Sequence, residues 1–588
     1  MLMKDTISLT MIVKDEQAHL AACLDRVQDQ VDEIIIVDTG SSDDTLEIAQ
    51  RYTPHVFSYQ WNGDFSAARN YAISKASCAW IFYLDADEIL LSETGNLKEI
   101  IQQHEGSEAF LLPLENPTVD ASSYVNRFFV LRLFKNKESY RFFGIIHEQV
   151  SVQDAGSAQI VQGPILRHRI PPISLRNKKR ARNLNLLKRA LIQDPQNPFL
   201  HYYLGLEWLM LSKPEKSLPY LRTAYEMLTD ENLLIKAPAL RSLVICLKNL
   251  GKLEEALILC LDADLKYPEF TDIYFLGGTL LAEKGEFTLA IKWLKQAIEC
   301  GEPPAIYSHM LGTESFLSHY YLGYCCDMLG DVETARRHYE TAIELNADYT
   351  FPLANLFLNL RLSKGFLSAY NYFCDKGYFH NLKFSLILAE EFFYAGYPNL
   401  AKEILQRHVF ELESKAKSSL NQAFYSLGWY SLCAGEPKKA RDLLGKIPPE
   451  SEFYSKGQVK IVFCLLLSGY YKEAKDQILN LWKQEELRAE VYLMLRLIKL
   501  LQNGDMNFLP QTIRDRELKT IGLAWFKEML SFQSQVTWQP QFSHFMRSLQ
   551  TLLLNLSSQS TLELINLIGQ KRKEAEASFN YKFGEKMI

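Results

Sequence analysis

WIFYLDADEIL, residues Trp80 to Leu90, runs five mostly apolar residues straight into three acids, Asp85, Asp87 and Glu88. An apolar run of this kind reads as a strand buried on both faces. Carboxylates at its end are costly to bury unless a cation meets them. The cluster therefore predicts a divalent metal holding a phosphorylated ligand at the carboxyl end of the strand.

Working outward, short β-branched runs alternate with helical segments. ISLTMIV (7–13) reads as a strand and EQAHLAACLDRV (16–27) as a helix. DEIIIVDTG (32–40) is a strand, SDDTLEIAQRY (42–52) a helix, HVFSYQW (55–61) a strand, SAARNYAISKA (66–76) a helix and AWIFYLDADE (79–88) a strand. This alternation predicts a parallel α/β sheet, whose ligands bind beyond the carboxyl ends of the strands. Polar residues gather at those ends: Lys14, Asp15 and Glu16, then Asp38, then Asp64, then Asp85 and Asp87. From about residue 110 to 170 the chain turns aromatic and β-rich, which predicts antiparallel strands and a covering lobe. RNKKRARNLNLLKRAL (176–191) reads as a basic, solvated linker helix, with the alternative that one or two of its cations approach a phosphate group.

Beyond residue 195 nearly every segment reads as helix, and the pattern repeats. GKLEEALILC begins at Gly251 and GEFTLAIKWL at Gly285, an offset of 34 residues that Ala256 and Ala290 share. That period is the tetratricopeptide signature, and such a solenoid curves around a concave surface suited to a peptide or protein. The expected organisation is an α/β domain over 1–175, a basic helical linker over 176–197, tetratricopeptide-like repeats over 198–480 and a helical region over 481–588.

With 588 residues the chain needs several cores. A formal net charge of −6 argues against a general nucleic-acid binder. The first residues lack the apolar core of a signal peptide, and no window reaches the roughly 18 apolar residues of a membrane span. Ten cysteines without a CxxC pair predict buried, reduced thiols and a cytoplasmic setting.

SLTMIVKDE, DEIIIVDTGSSDDTLEIA, WNGDFSAARNYA, WIFYLDADE and GIIHE, in that order, resemble the family 2 glycosyltransferases of GT-A fold, in the bacterial branch with C-terminal tetratricopeptide repeats. The resemblance covers roughly residues 7 to 170. It implies a GT-A (nucleotide-diphospho-sugar transferase) α/β domain followed by an all-α solenoid, and inverting, metal-dependent transfer from a nucleotide-diphosphate sugar, with UDP the expected nucleotide. It makes Asp87 the direct ligand of Mn2+ or Mg2+, with Asp85 in the metal's shell or on the ribose and His168 completing the shell. Lys14, Glu16, Asp38, Asp64 and Arg69 fall in the donor pocket. Ser66 is expected to cap the helix that carries Arg69. No Q-x-x-R-W motif marks the base that deprotonates the acceptor. Glu148 is the candidate, with His147 beside it on what reads as a strand. The acceptor is expected to be a protein or peptide held by the repeats. The alternatives are a lipid-linked or polysaccharide acceptor with the repeats docking a partner, or a non-catalytic scaffold.

Overall fold

The computed structural model describes residues 5–117, 125–152, 158–170, 173–409, 417–482, 484–503, 515–530 and 540–556, so part of the 481–588 region lies outside the described residues. By compactness the chain divides into residues 1–349 and 350–588.

The apolar runs fold as their alternation predicts. The order is β1 (Ile7–Val13), α1 (Leu20–Val27), β2 (Glu33–Asp38), α2 (Thr45–Tyr52), β3 (Val56–Ser58), α3 (Phe65–Ile73) and β4 (Trp80–Tyr83). β5 (Glu88–Leu91), α4 (Leu97–Gln103), β6 (Ala109–Pro117) and β7 (Val125–Lys135) follow. The lobe adds β8 (Phe142–Phe143), β9 (Gln149–Val150), β10 (Ala158–Ile160) and β11 (Ile165–His168). The sheet order is β3-β2-β1-β4-β7-β6-β11-β5, with β10 also on β6. β1, β2, β3 and β4 pair in parallel, whereas β7 runs antiparallel to both β4 and β6. Leu9, Met11 and Phe82 bury one face with α1 and α4, and Ile81 and Phe134 bury the other with Ile73 of α3.

Three expected elements differ. The helix expected from residue 16 begins at Leu20, because Glu16 to His19 form the turn that leaves β1. β3 keeps only three residues of the expected 55–61. The strand expected over 79–88 breaks after Tyr83, and the amide of Glu88 returns to the carbonyl of Asp85 at 3.0 Å. Glu88 then opens β5, which runs antiparallel to β11 with Glu88 opposite His168. The acids thus sit on a reversal between two strands.

α5 (Ile173–Gln193) leads into helix pairs α6 (Pro198–Met210) with α7 (Pro214–Met227), and α8 (Leu233–Asn249) with α9 (Leu253–Lys266). α10 (Thr271–Glu283) with α11 (Phe287–Cys300), and α12 (Phe316–Met328) with α13 (Val332–Leu345), complete this unit. Glycine permits the close approach within a pair. A Cβ on Gly205 would come within 2.7 Å of Leu221, and one on Gly278 within 2.7 Å of Leu294. Gly323 meets Tyr339 in the same way, the partner lying sixteen residues on each time. In the second unit Gly428 meets Leu444 with the same spacing, among helices that run from Phe351 to Leu556.

One interruption of the repeat has a structural use. Between α11 and α12 the chain forms β12 (His309–Met310), which pairs antiparallel with β7 at Arg127 and Asn126. Beneath it, buried Asp272 accepts hydrogen bonds from Arg241 at 2.6 Å, Thr313 at 2.9 Å and the Met310 amide at 3.0 Å. His309 binds Asp272 through Nδ1 and Glu314 through Nε2. Burial opposes charge on this ring, but its two carboxylate partners outweigh burial and raise its pKa to about 9.

Candidate active site

The loops after β1 and β2 are stitched to each other. Asp15, at φ 53°, accepts from the Ser42 amide at 2.7 Å, and the Glu16 amide donates to the Thr45 hydroxyl at 2.7 Å. Buried Asp38 accepts from the amides of Gly40 and Ser41 at 3.0 and 3.1 Å, which turns the chain sharply at the tip of β2. Gly40 has φ 105°, a conformation that suits glycine. Lys14 is exposed at the end of β1.

Asp64, not Ser66, caps α3: its carboxylate accepts from the Ala67 amide at 3.1 Å, while the Ser66 hydroxyl donates to the carbonyl of Gly144. The sequence offered two capping residues within three positions. The extended backbone of Asp64 is what places its oxygen over the helix end.

Arg69 is 7% exposed and binds two acids that are far apart in sequence. It donates through Nη2 to Asp85 at 2.7 Å and through Nε to Glu148. From β7, Arg132 donates to Glu88 at 2.7 Å and stands 3.8 Å from Asp85. Both guanidiniums lie over the Tyr83 ring, at 4.9 and 4.5 Å from its centre. Burial raises the pKa of Asp85, but Arg69 and Arg132 overcome it and hold this carboxyl well below the usual range. Fully buried Glu88 shifts the other way, because burial outweighs Arg132 and Asp85 adds repulsion.

Asp87 faces elsewhere. Its Oδ2 accepts from Lys179 of α5 at 2.9 Å, and the same ammonium stands 3.5 Å from Glu16. Burial raises the pKa of Glu16, with the charges of Asp87 and Asp85 adding to it and Lys179 opposing. His168 ends β11 with Nε2 3.6 Å from Glu88. Asp85, Asp87 and His168 reach the same strand ends, yet each has a different partner. Among the described residues no group of three or more His, Cys, Asp or Glu gathers as a metal shell. Among these strand-end acids, Asp87 and Glu16 share one cationic atom, Lys179 Nζ. Two hard carboxylates fit a divalent cation whose remaining positions are filled by phosphate oxygens and water.

Glu148 and His147 do not share a strand; they lie in the turn between β8 and β9. His147 has φ 49°, and its ring stacks on Tyr203 of α6 at 3.7 Å, with Nε2 buried and unpartnered. Burial lowers its pKa. Glu148 is held by Arg69 through Oε1.

Residues 8–124 match the family model for glycosyl transferase family 2, and residues 316–349 match that for the tetratricopeptide repeat. The N-terminal domain is a family 2 glycosyltransferase domain. The chain is 29% identical over 291 residues to the SPbeta prophage-derived glycosyltransferase SunS of Bacillus subtilis, covering 47% of this chain and 67% of SunS. It is 42% identical over 145 residues to a TPR repeat-containing protein of Synechococcus elongatus, covering 24% of this chain and 35% of that one. An uncharacterized glycosyltransferase of Rickettsia felis is 34% identical over 107 residues, covering 18% of this chain and 38% of its own length. The chain is a glycosyltransferase with tetratricopeptide repeats.

Three residues of the candidate site escaped the motif reading. Arg132 lies within NRFFVLRLFKN, where it is the one cation inside the apolar FFVLRLF, and that is the available signal. Glu88 stood in the acidic cluster without an assigned role. Lys179 was one of several cations in a segment that read as a linker helix, with the alternative that one or two of them approach a phosphate group, and no single residue was named.

Proposed function

We propose that this chain transfers a sugar, with inversion, from a nucleoside-diphosphate sugar to a protein or peptide held by its repeats, with UDP as the expected nucleotide. The observation that best supports a repeat-bound acceptor is the double attachment of the repeats to the donor domain. α5 reaches the acids at the strand ends through Lys179 and reaches α6 through Arg180 and Asn183, which both donate to Glu207. β12 from the repeat array pairs with β7, the strand that carries Arg132. An acceptor lying on a surface fixed in this way can have one side chain held at the sugar, and much of the barrier is then met by positioning. The likeness to SunS, over 291 residues, is longer than the 175-residue donor domain expected from sequence.

Mn2+ or Mg2+ held by Asp87 and Glu16 would neutralise the diphosphate as it departs. Asp38 and Lys14 border the nucleotide, and Asp64 and Arg69 organise the helix beneath it. His168, whose Nε2 stands 3.6 Å from Glu88, is left out of this metal pair. Glu148 is the proposed proton acceptor: Arg69 binds one of its oxygens, whereas Asp85 faces a guanidinium at each of its two. The ten free cysteines, eight of them buried, fit a reducing compartment.

The test is incubation of the full chain with a panel of nucleoside-diphosphate sugars, Mn2+ and candidate peptides, read by mass spectrometry and by the anomeric configuration of the product. The expected result is an inverted sugar on a peptide side chain. Hydrolysis of a donor with transfer only to a glycan or lipid acceptor would replace the protein-acceptor reading. No turnover of any donor would remove the donor assignment.

A further inference from the structure

Lys179 occupies the one point that the carboxylates of Asp87 and Glu16 share, at 2.9 and 3.5 Å. Two carboxylates this close repel each other unless a cation stands between them, and the protein brings its own, from a residue ninety-two positions after Asp87. The placement is built. α5 is pinned beside the site by Leu184, Leu186 and Leu187, which pack with Ile146 and Leu204. One turn after Lys179, Arg182 lies over the ring of Phe65, the first residue of α3, at 5.2 Å. The Lys179 side chain is 31% exposed, so it has room to leave. An ammonium and a divalent cation cannot both stand between the same two oxygens. A diphosphate brought alongside offers Lys179 new oxygens at once.

Resting on the donor-site reading above, we propose that Lys179 is a donor-binding residue that changes partners. It neutralises Asp87 and Glu16 in the empty site, yields that point to a divalent cation, and turns to the diphosphate of the incoming nucleotide. Metal and nucleotide then favour each other's binding, each by the same factor. In the donor-free protein the metal competes with the protein's own side chain.

The experiment titrates Mn2+ into the full-length protein, reading free Mn2+ by electron paramagnetic resonance, with and without UDP, for the wild type, Lys179→Met and Lys179→Arg. UDP binding in EDTA is measured in parallel by calorimetry. Lys179→Met is expected to bind Mn2+ alone about tenfold more tightly, since the competing charge is gone. It is expected to bind UDP in EDTA about tenfold more weakly, the scale of one lost charge-assisted hydrogen bond. Lys179→Arg, which keeps the charge, is expected to retain UDP binding. If Lys179→Met leaves both affinities unchanged, or weakens Mn2+ binding, the exchange is overturned while the donor site stands. If the wild type binds no nucleoside diphosphate with or without Mn2+, the donor-site reading falls and the exchange with it.

Discussion

Asp85 and Asp87 are separated by one residue and live in opposite surroundings. Asp85 lies between two buried arginines over an aromatic ring, and its charge balances theirs. Asp87 turns to a different partner, a lysine from a distant helix. A D-x-D pair at a strand end is therefore two functions on two faces of one turn. Asp85 is tied to the two buried arginines, and Asp87 is the acid proposed to exchange its cation. Asp272 in the repeats repeats the inner arrangement, with Arg241 and His309 as its cations.

The comparison can be broken most severely on its buried side. Arg132→Ala would leave Glu88 fully buried without its cation and Asp85 with only Arg69. The expected loss is about 3–5 kcal/mol of stability, read by chemical denaturation, because removing one partner strands the other charge. A loss below about 1 kcal/mol would show that Glu88 protonates at no cost and that the inner cluster is no scaffold. The outer side should respond in the opposite way. Asp87→Asn is expected to lower kcat/KM by at least about 100-fold, the scale of one lost electrostatic contact to developing charge, while thermal unfolding moves by only a few degrees. Activity near wild type would end the assignment of Asp87 to the donor.

The Asp272 cluster sharpens the comparison through pH. The folded pKa of His309, about 9, lies above the ordinary imidazole value near 6.5. Its stabilisation is therefore fully present below pH 6.5 and is lost as pH rises through about 9, amounting to up to about 3 kcal/mol. Unfolding free energy measured across that window should fall in the wild type and run flatter in His309→Gln. Equal slopes would show that the ring is not charged in the folded state. Glu148→Gln keeps the shape of the side chain and one hydrogen-bond acceptor for Arg69. It should retain nucleotide binding and lose transfer by about 100-fold, as expected for a missing general base. Unimpaired transfer would move the base elsewhere. The smallest effect is expected at His168, which touches neither Asp85 nor Asp87 directly. His168→Ala should change kcat/KM by less than about tenfold, and a larger loss would bring it into the metal shell.

Much of this was legible because local chemistry and position coincide. β1, β2 and β4 are buried on both faces, so they read as largely apolar runs, and the acids at or beyond their carboxyl ends mark those ends. Four of the helix pairs carry glycine where a side chain sixteen residues on packs against it, at Gly205, Gly278, Gly323 and Gly428, so the pattern survives in the letters. The cap of α3 was misread because Asp64 and Ser66 are both good capping residues and only backbone angles separate them. The reversal at Asp85–Asp87 was missed because the apolar residues of β5 continue the apolar grammar of β4.

The amino-acid sequence by itself determined the α/β domain, the solenoid after it and the acids at the strand ends, because burial and period are written residue by residue. Tertiary structure alone decided which acid meets which cation. Arg69 reaches forward 16 positions to Asp85 and 79 to Glu148, Arg132 reaches back 44 to Glu88, and Lys179 reaches back 92 to Asp87. Such pairings depend on where α3, β7 and α5 come to rest. A charged side chain carries no record of its partner until the packing of apolar faces has brought the two within a few ångströms, where low dielectric makes the contact strong.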